Sequence, residues 1–170
     1  KQFGPGEDYA KCPRTLDRDI KLLEKVNVDC VFCPSDKEIY PPNVESQVMI
    51  NKLDLMDELC GKYRPGHFDG VLLVVNRLLS IIQPNIAIFG QKDYQQYVLI
   101  KNMVRQLFIP TEILMAPIIR ENDGLAMSSR NSYLNSNQRS KAIHLYKSLI
   151  SARKKIRENK IDCKSILRTE

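Results

Sequence analysis

Four consecutive segments decide what most of this chain can fold into. From His67 to Ile82 the apolar residues Val71, Leu72, Val74, Val75, Leu78, Leu79 and Ile82 recur at helical spacing and form a wide buried face, and the helix must end before Pro84. Asn85 to Phe89 is a short apolar run of strand length, closed by Gly90. Asp93 to Phe108 returns to helical spacing through Tyr97, Ile100, Val104 and Leu107, and Thr111 to Met115 is again strand-like, ahead of Pro117. Helices and strands that alternate in this way favour a parallel sheet, an α/β fold.

The stretch before them extends the pattern. Thr15 stands as an N-cap for a helix over Asp17 to Val26, apolar at Ile20, Leu22, Leu23 and Val26, and Val28 to Phe32 reads as a buried strand. Pro34, Pro41 and Pro42 then interrupt the chain, after which Val44 to Lys52 is weakly strand-like and Leu53 to Cys60 fits a short helix. Beyond Pro117 the texture changes to a polar loop, Arg120 to Asn131, a long basic helix from Ser136 to Arg157 and a shorter one from Ile161 to Arg168. The expected domains are therefore 1–117 and 118–170.

With 170 residues, 43% of them hydrophobic, one substantial core is possible. A net charge of +6 attracts anions, whether nucleotides, phosphates or nucleic acid. Nucleic acid is disfavoured, because the cations from Lys141 to Lys160 scatter around their helix and no lysine run is interleaved with aromatics. No stretch approaches the roughly 20 apolar residues that cross a bilayer, and Lys1 to Gly6 does not read as a signal peptide. A soluble, cytoplasmic protein is expected. The five cysteines, an odd number in a core-rich chain, are expected to be free thiols, with Cys30 and Cys33 as core residues at a strand end rather than a redox or zinc pair.

Chemistry concentrates in two motifs. Phe89-Gly90-Gln91-Lys92-Asp93-Tyr94-Gln95-Gln96 falls where a strand passes into a helix, the position at which open α/β sheets bind ligands. Lys92 near a helix N-terminus suits a polyphosphate, Asp93 suits a ribose, and Gln96, one turn on, suits a small polar substrate. Read alone, the same segment also fits a capping Asp93, a solvated Lys92 and glutamines that face water. The second motif runs from Arg120 to Asn131 and sets Ser128, Ser129 and Arg130 on a flexible loop that can close over phosphates; the alternative is a polar linker. His67 opens a buried helix and is read as structural.

Together the motifs resemble the signatures GEKDYQQ and GLAMSSRN of the pantothenate synthetase family, with a departure at Gln91, where the family usually carries Glu. Two further blocks agree. Gln2 to Tyr9 with Pro13-Arg14-Thr15 resembles NPxQF, EDY and YPRT, with Cys12 in place of Tyr, and Arg64 to Val71 resembles RPGHFxGV. The likeness runs from Gln2 to about Leu134.

That resemblance implies a Rossmann-like domain of the HIGH-type nucleotidylyltransferase superfamily followed by a smaller carboxy-terminal domain. Neither His67 nor His144 has the surroundings of the HIGH motif, so the segment that bears it, and part of the carboxy-terminal domain, are expected to lie outside this sequence, and the fragment alone is expected to be inactive. The implied reaction is ATP-dependent ligation of pantoate and β-alanine through a pantoyl adenylate, releasing AMP and pyrophosphate. The implied site gives Gln2 and Gln96 to pantoate, Gly90, Gln91, Lys92, Asp93, Ile119 and Met127 to ATP, and Lys92, Ser128, Ser129 and Arg130 to both ATP and catalysis. Mg2+ would ride on ATP with no dedicated protein site, Asp17 and Asp19 being weak candidates around Arg18. A homodimer is implied for the full-length enzyme, and neither nucleic acid nor membrane is an expected partner. Another nucleotidylyltransferase of the superfamily is the alternative.

Overall fold

A computed structural model describes residues 3, 4, 7, 9, 14–44 and 54–158. Six helices, α1 (Leu16–Lys25), α2 (Asp36–Ile39), α3 (Cys60–Tyr63), α4 (His67–Ile82), α5 (Tyr94–Gln106) and α6 (Ser136–Arg157), and two strands, β1 (Ile86–Gly90) and β2 (Glu112–Ala116), make up its regular structure, with short 3-10 turns at Asp54–Met56, Gln91–Asp93 and Ser129–Tyr133. The chain divides into two compact units, Lys1–Pro117 and Ile118–Glu170.

In the first unit the two strands are parallel and in register from Ile86 opposite Glu112 to Gly90 opposite Ala116. The chain passes from β1 to β2 through α5, so the unit is a β-α-β crossover with α4 packed beside α5. Leu99, Ile100 and Met103 of α5 are fully buried, and Phe68, Val71, Leu72 and Leu79 of α4 close over them together with Ile113 of β2. Ala87 and Phe89 pack against this core, whereas Ile86, Ile88 and Leu114 are exposed, so only one face of the pair is covered by the described residues. Helix α4 stops as its sequence requires. Gln83 takes a left-handed conformation, its N–H donates to Leu79 O at 2.9 Å, and Pro84 follows. Thr111, buried at the entry to β2, donates its hydroxyl to Pro84 O at 2.8 Å.

Four expectations need correction. Val28 to Phe32 is not a buried strand: it has no ladder partner among the described residues, and Val28, Val31 and Phe32 are 41%, 43% and 49% exposed. An apolar run becomes a strand only where another strand satisfies its N–H and C=O groups. For the same reason Cys30 and Cys33 are not core thiols; they and Cys60 are free and exposed. Helix α1 forms, but none of its residues is buried, and Thr15 gives it no side-chain cap, its hydroxyl meeting Asp19 Oδ1 at 3.2 Å. Of the helix expected from Leu53 to Cys60, the described residues 54–60 form a 3-10 turn at Asp54–Met56 and the start of α3 rather than one helix. The expected strand over 45–52, the helix over 161–168, Cys12 and Cys163 lie outside the described residues.

The second unit contains a small hairpin and α6. Arg120 and Ala126 form an antiparallel bridge, and Met127 N–H donates to Ile119 O at 3.0 Å. Asn135 and Gln138 build a reciprocal capping box that starts α6 at Ser136. Among the described residues no helix is long and apolar enough to cross a membrane.

Candidate active site

Strand β1 ends at Gly90, and the chain turns through Gln91–Asp93 into α5, so the first motif occupies the carboxyl end of a parallel strand. Gly90 has ordinary extended dihedrals, and nothing lies within 4 Å of where a Cβ would stand. Glycine is thus not demanded by the backbone there; what it provides is open space beside the strand end. Lys92 is exposed, with Nζ 3.5 Å from Asp93 Oδ1. Asp93 occupies the N-cap position of α5 but its side chain makes no cap bond, leaving the first amides of the helix to other partners. Gln91 is exposed and Gln96 half-buried.

The neighbouring Gln95 does not face water. It is buried, its Oε1 accepts from Cys60 N–H at 3.1 Å, and its Nε2 donates to Leu55 O at 2.7 Å and Glu58 O at 2.8 Å. One amide therefore pins the segment between residues 55 and 60 to the helix that presents Gln96. Gly61, next along, sits so close to Met56 that a Cβ would fall 1.7 Å from its carbonyl oxygen.

His67 is held by its neighbours. Arg64 grips Glu7 through Nε at 2.6 Å and Nη2 at 2.5 Å, while its Nη1 donates to His67 Nε2 at 2.9 Å. The Arg64 bond holds the Glu7 carboxyl below its ordinary range. This chain of contacts fits the structural reading of His67.

In the second unit the Arg120–Asn131 segment is not a flexible strap. Arg139 of α6 forks two of its carboxylates, with Nη2 to Glu121 Oε2 at 2.8 Å and Nη1 to Asp123 Oδ2 at 2.6 Å. Asn131 Nδ2 donates to Glu121 Oε1 and to Ala126 O, both at 3.1 Å. Gly124, at φ +97°, packs against the Tyr146 ring, and the Arg120 guanidinium lies 4.0 Å from that ring's centroid. Ser128 caps the following 3-10 turn by accepting from Arg130 N–H at 3.3 Å. The turn leaves Ser129 and Arg130 exposed, Ser128 half-buried, and Met127 and Ile119 exposed at 55% and 64%. A cleft of about 490 Å³ opens beside them, lined by Arg120, Glu121, Asn122, Asp123, Met127 and Arg139. Gln2 lies outside the described residues.

Each motif is thus a strand end or turn that offers a cation together with neutral donors, a combination suited to phosphate oxygens. Sequence reasoning missed Gln95, Arg139 and the carboxylates that Arg139 holds, because their partners lie 16 to 40 residues away. Among the described residues no group of three or more His, Cys, Asp or Glu could hold a metal ion.

A family model described as pantoate-beta-alanine ligase matches residues 1–169. The chain belongs to that family. A pantothenate synthetase of Thermoanaerobacter sp. (strain X514) is 50% identical over 167 residues, which cover 98% of this chain and 58% of that protein. The Aquifex aeolicus pantothenate synthetase is 48% identical, over 97% of this chain and 58% of its own length. The chain therefore spans a little more than half the length of the curated relatives it matches. The crystal structure of a Thermus thermophilus pantothenate synthetase superposes with a TM-score of 0.89 at 46% identity, covering 93% of this chain and 57% of that one. A Francisella tularensis pantoate-beta-alanine ligase, crystallised in complex with beta-gamma ATP and β-alanine, gives a TM-score of 0.79 at 44% identity, over 86% of this chain and 56% of that one. The fold is that of the pantoate-beta-alanine ligases, Rossmann-like and of the HIGH-type nucleotidylyltransferase class.

Proposed function

We propose that this chain supplies the central part of an ATP-dependent ligase that joins pantoate to β-alanine. The pantoate carboxylate attacks the α-phosphate of ATP, giving pantoyl adenylate and pyrophosphate; the β-alanine amine then attacks the activated carbonyl, and AMP leaves. The observation that carries this reading is Lys92, an exposed cation at the carboxyl end of β1 in the turn that leads into α5, whose N-cap residue Asp93 makes no side-chain cap bond, in a chain of this family. Its charge and the first amides of α5 match phosphate oxygens.

Residues 1–117 form the ATP- and pantoate-binding domain in this proposal, and residues 118–170 are part of a carboxy-terminal domain. Gly90, Gln91, Asp93, Ile119 and Met127 contact ATP, and Gln2 and Gln96 hold pantoate through neutral donors and acceptors suited to a hydroxy acid. Lys92 and Arg130 meet the charge that builds on the phosphates as the P–O bond breaks, with Ser128 and Ser129 as neutral donors. Magnesium would accompany ATP as part of the substrate and would supply neutralisation of phosphate charge. Asp17 and Asp19, exposed around Arg18 in the first turn of α1, are a weak fit for it, and no step is assigned to them. A homodimer in the cytoplasm is the proposed form of the full-length protein.

The beta-gamma ATP and β-alanine held by the Francisella tularensis relative support the substrates proposed here. The test is AMP release by the protein extended to the length of its relatives. Release that needs ATP, pantoate and β-alanine together supports the reading, and release indifferent to pantoate overturns it.

A further inference from the structure

Arg139 lies outside both motifs, in the first turns of α6, and its guanidinium is the hub of the Arg120–Asn131 segment. Two carboxylates two residues apart converge on it, and each is fixed by its other oxygen. Glu121 Oε1 accepts from Asn131 Nδ2 at 3.1 Å, and Asp123 Oδ1 accepts from Leu125 N–H at 3.1 Å. The near and far legs of the segment are thus tied to one side chain, which is 29% exposed. A single exposed ion pair contributes little, but a planar fork closing two hydrogen-bonded carboxylates fixes geometry as well as charge. With both branches engaged, the guanidinium is neutralised and poorly placed to serve a phosphate itself.

We propose that Arg139 is a positioning residue for this ligase: it holds the Arg120–Asn131 segment in the shape that presents Ser128, Ser129 and Arg130, without contacting substrate. The proposal rests on the reading of those three residues as the ATP-phosphate loop. Lysine cannot replace it, because an ammonium on a flexible stem cannot span both carboxylates in fixed geometry.

The experiment compares Arg139→Ala, Arg139→Lys, the partner-side variant Glu121→Gln/Asp123→Asn and the combination of all three positions, in the protein at the length of its relatives. Three readouts are taken: amide exchange over residues 120–131 without substrates, the KM for ATP and for β-alanine, and kcat. Arg139→Ala should speed exchange of the Leu125 amide at least tenfold and raise KM for ATP or lower kcat about tenfold, with KM for β-alanine unchanged. Arg139→Lys should recover less than half of that loss. The partner-side variant should reproduce the effect, and adding Arg139→Ala to it should change little more. Wild-type exchange in both single-side variants overturns the proposal, as do fully additive effects. Faster exchange with unchanged ATP parameters also overturns it, provided Arg130→Ala impairs the reaction. If Arg130→Ala is silent as well, the phosphate-loop reading itself fails, and the positioning role falls with it.

Discussion

Replacing Gly124 by alanine should be among the most costly single-methyl additions in this chain, for two separable reasons. Its φ of +97° is one that a Cβ-bearing residue rarely adopts, and left-handed strain costs about 1–2 kcal/mol. The new methyl would also lie 2.2 Å from Tyr146 Cδ1 and 2.7 Å from Cε1, well inside contact distance. Forcing a packed ring aside typically costs about 1–3 kcal/mol, and here it would also lift the ring from under Arg120. The expected total is about 2–5 kcal/mol. Gly66 provides the control. It has a φ of +74° with nothing within 4 Å of the would-be Cβ, so Gly66→Ala should show the strain alone, about 1–2 kcal/mol. Tyr146→Ala in the Gly124→Ala background should relieve the overlap and leave only strain. Urea unfolding followed by circular dichroism, with amide exchange over residues 118–133 to assign the effect, measures each step. A Gly124→Ala variant within about 0.5 kcal/mol of the parent, or no worse than Gly66→Ala, would refute the reasoning, since surface substitutions ordinarily fall inside that range.

Other consequences follow from the same geometry. Gln95→Ala should cost about 2–4 kcal/mol by removing the acceptor of Cys60 N–H and the donor to Leu55 O, Glu58 O keeping Gly61 N–H at 2.9 Å, and Gln95→Glu should cost at least as much, because a carboxylate cannot donate to Leu55 O and Glu58 O; equal stability of parent and variants by urea titration would contradict this. Lys92→Ala should lower kcat of the full-length protein by about 10²–10³-fold, the loss seen when a donor to developing charge is removed, with overall fold retained by circular dichroism. The Asp123 carboxyl, gripped by Arg139 and by Leu125 N–H, titrates below the ordinary aspartate range. Because the native value lies below the unfolded one of about 3.9, its stabilisation is complete above that pH and is lost as pH falls through the native value. Carbon-detected NMR should show this depression in the parent and a smaller one in Arg139→Gln, where the Leu125 N–H bond remains.

How much of the molecule could be read from sequence depended on whether a signal was local. Helix α4 begins at His67 and ends at Ile82 as its apolar spacing and Pro84 require, and β1, α5 and β2 fall within a residue or two of the expected bounds. These are periodicities and breakers within a few residues of each other. What covers an apolar face is not local information: the stripes of α1 and of Val28 to Phe32 were visible, yet no described residue buries them. The second motif shows the same limit. Its donors were recognisable as types, but a polar loop rich in Glu, Asn and Asp was expected to be flexible, and Arg139 and Tyr146, arriving from α6, help make it a fixed hairpin. Gln95 and Gln96 look alike in sequence, and only the carbonyls of residues 55 and 58 separate the one that clamps from the one left to meet a ligand.

The central claim is that this family member activates a carboxylate by adenylation, and the most direct measurement is pantoate-dependent exchange of labelled pyrophosphate into ATP without β-alanine. It should be run on this chain and on the protein extended to the length of its relatives. Exchange that depends on pantoate in the extended protein, and that falls by about a hundredfold or more with Lys92→Ala, is the predicted result. No exchange with pantoate and Mg-ATP saturating would contradict the account.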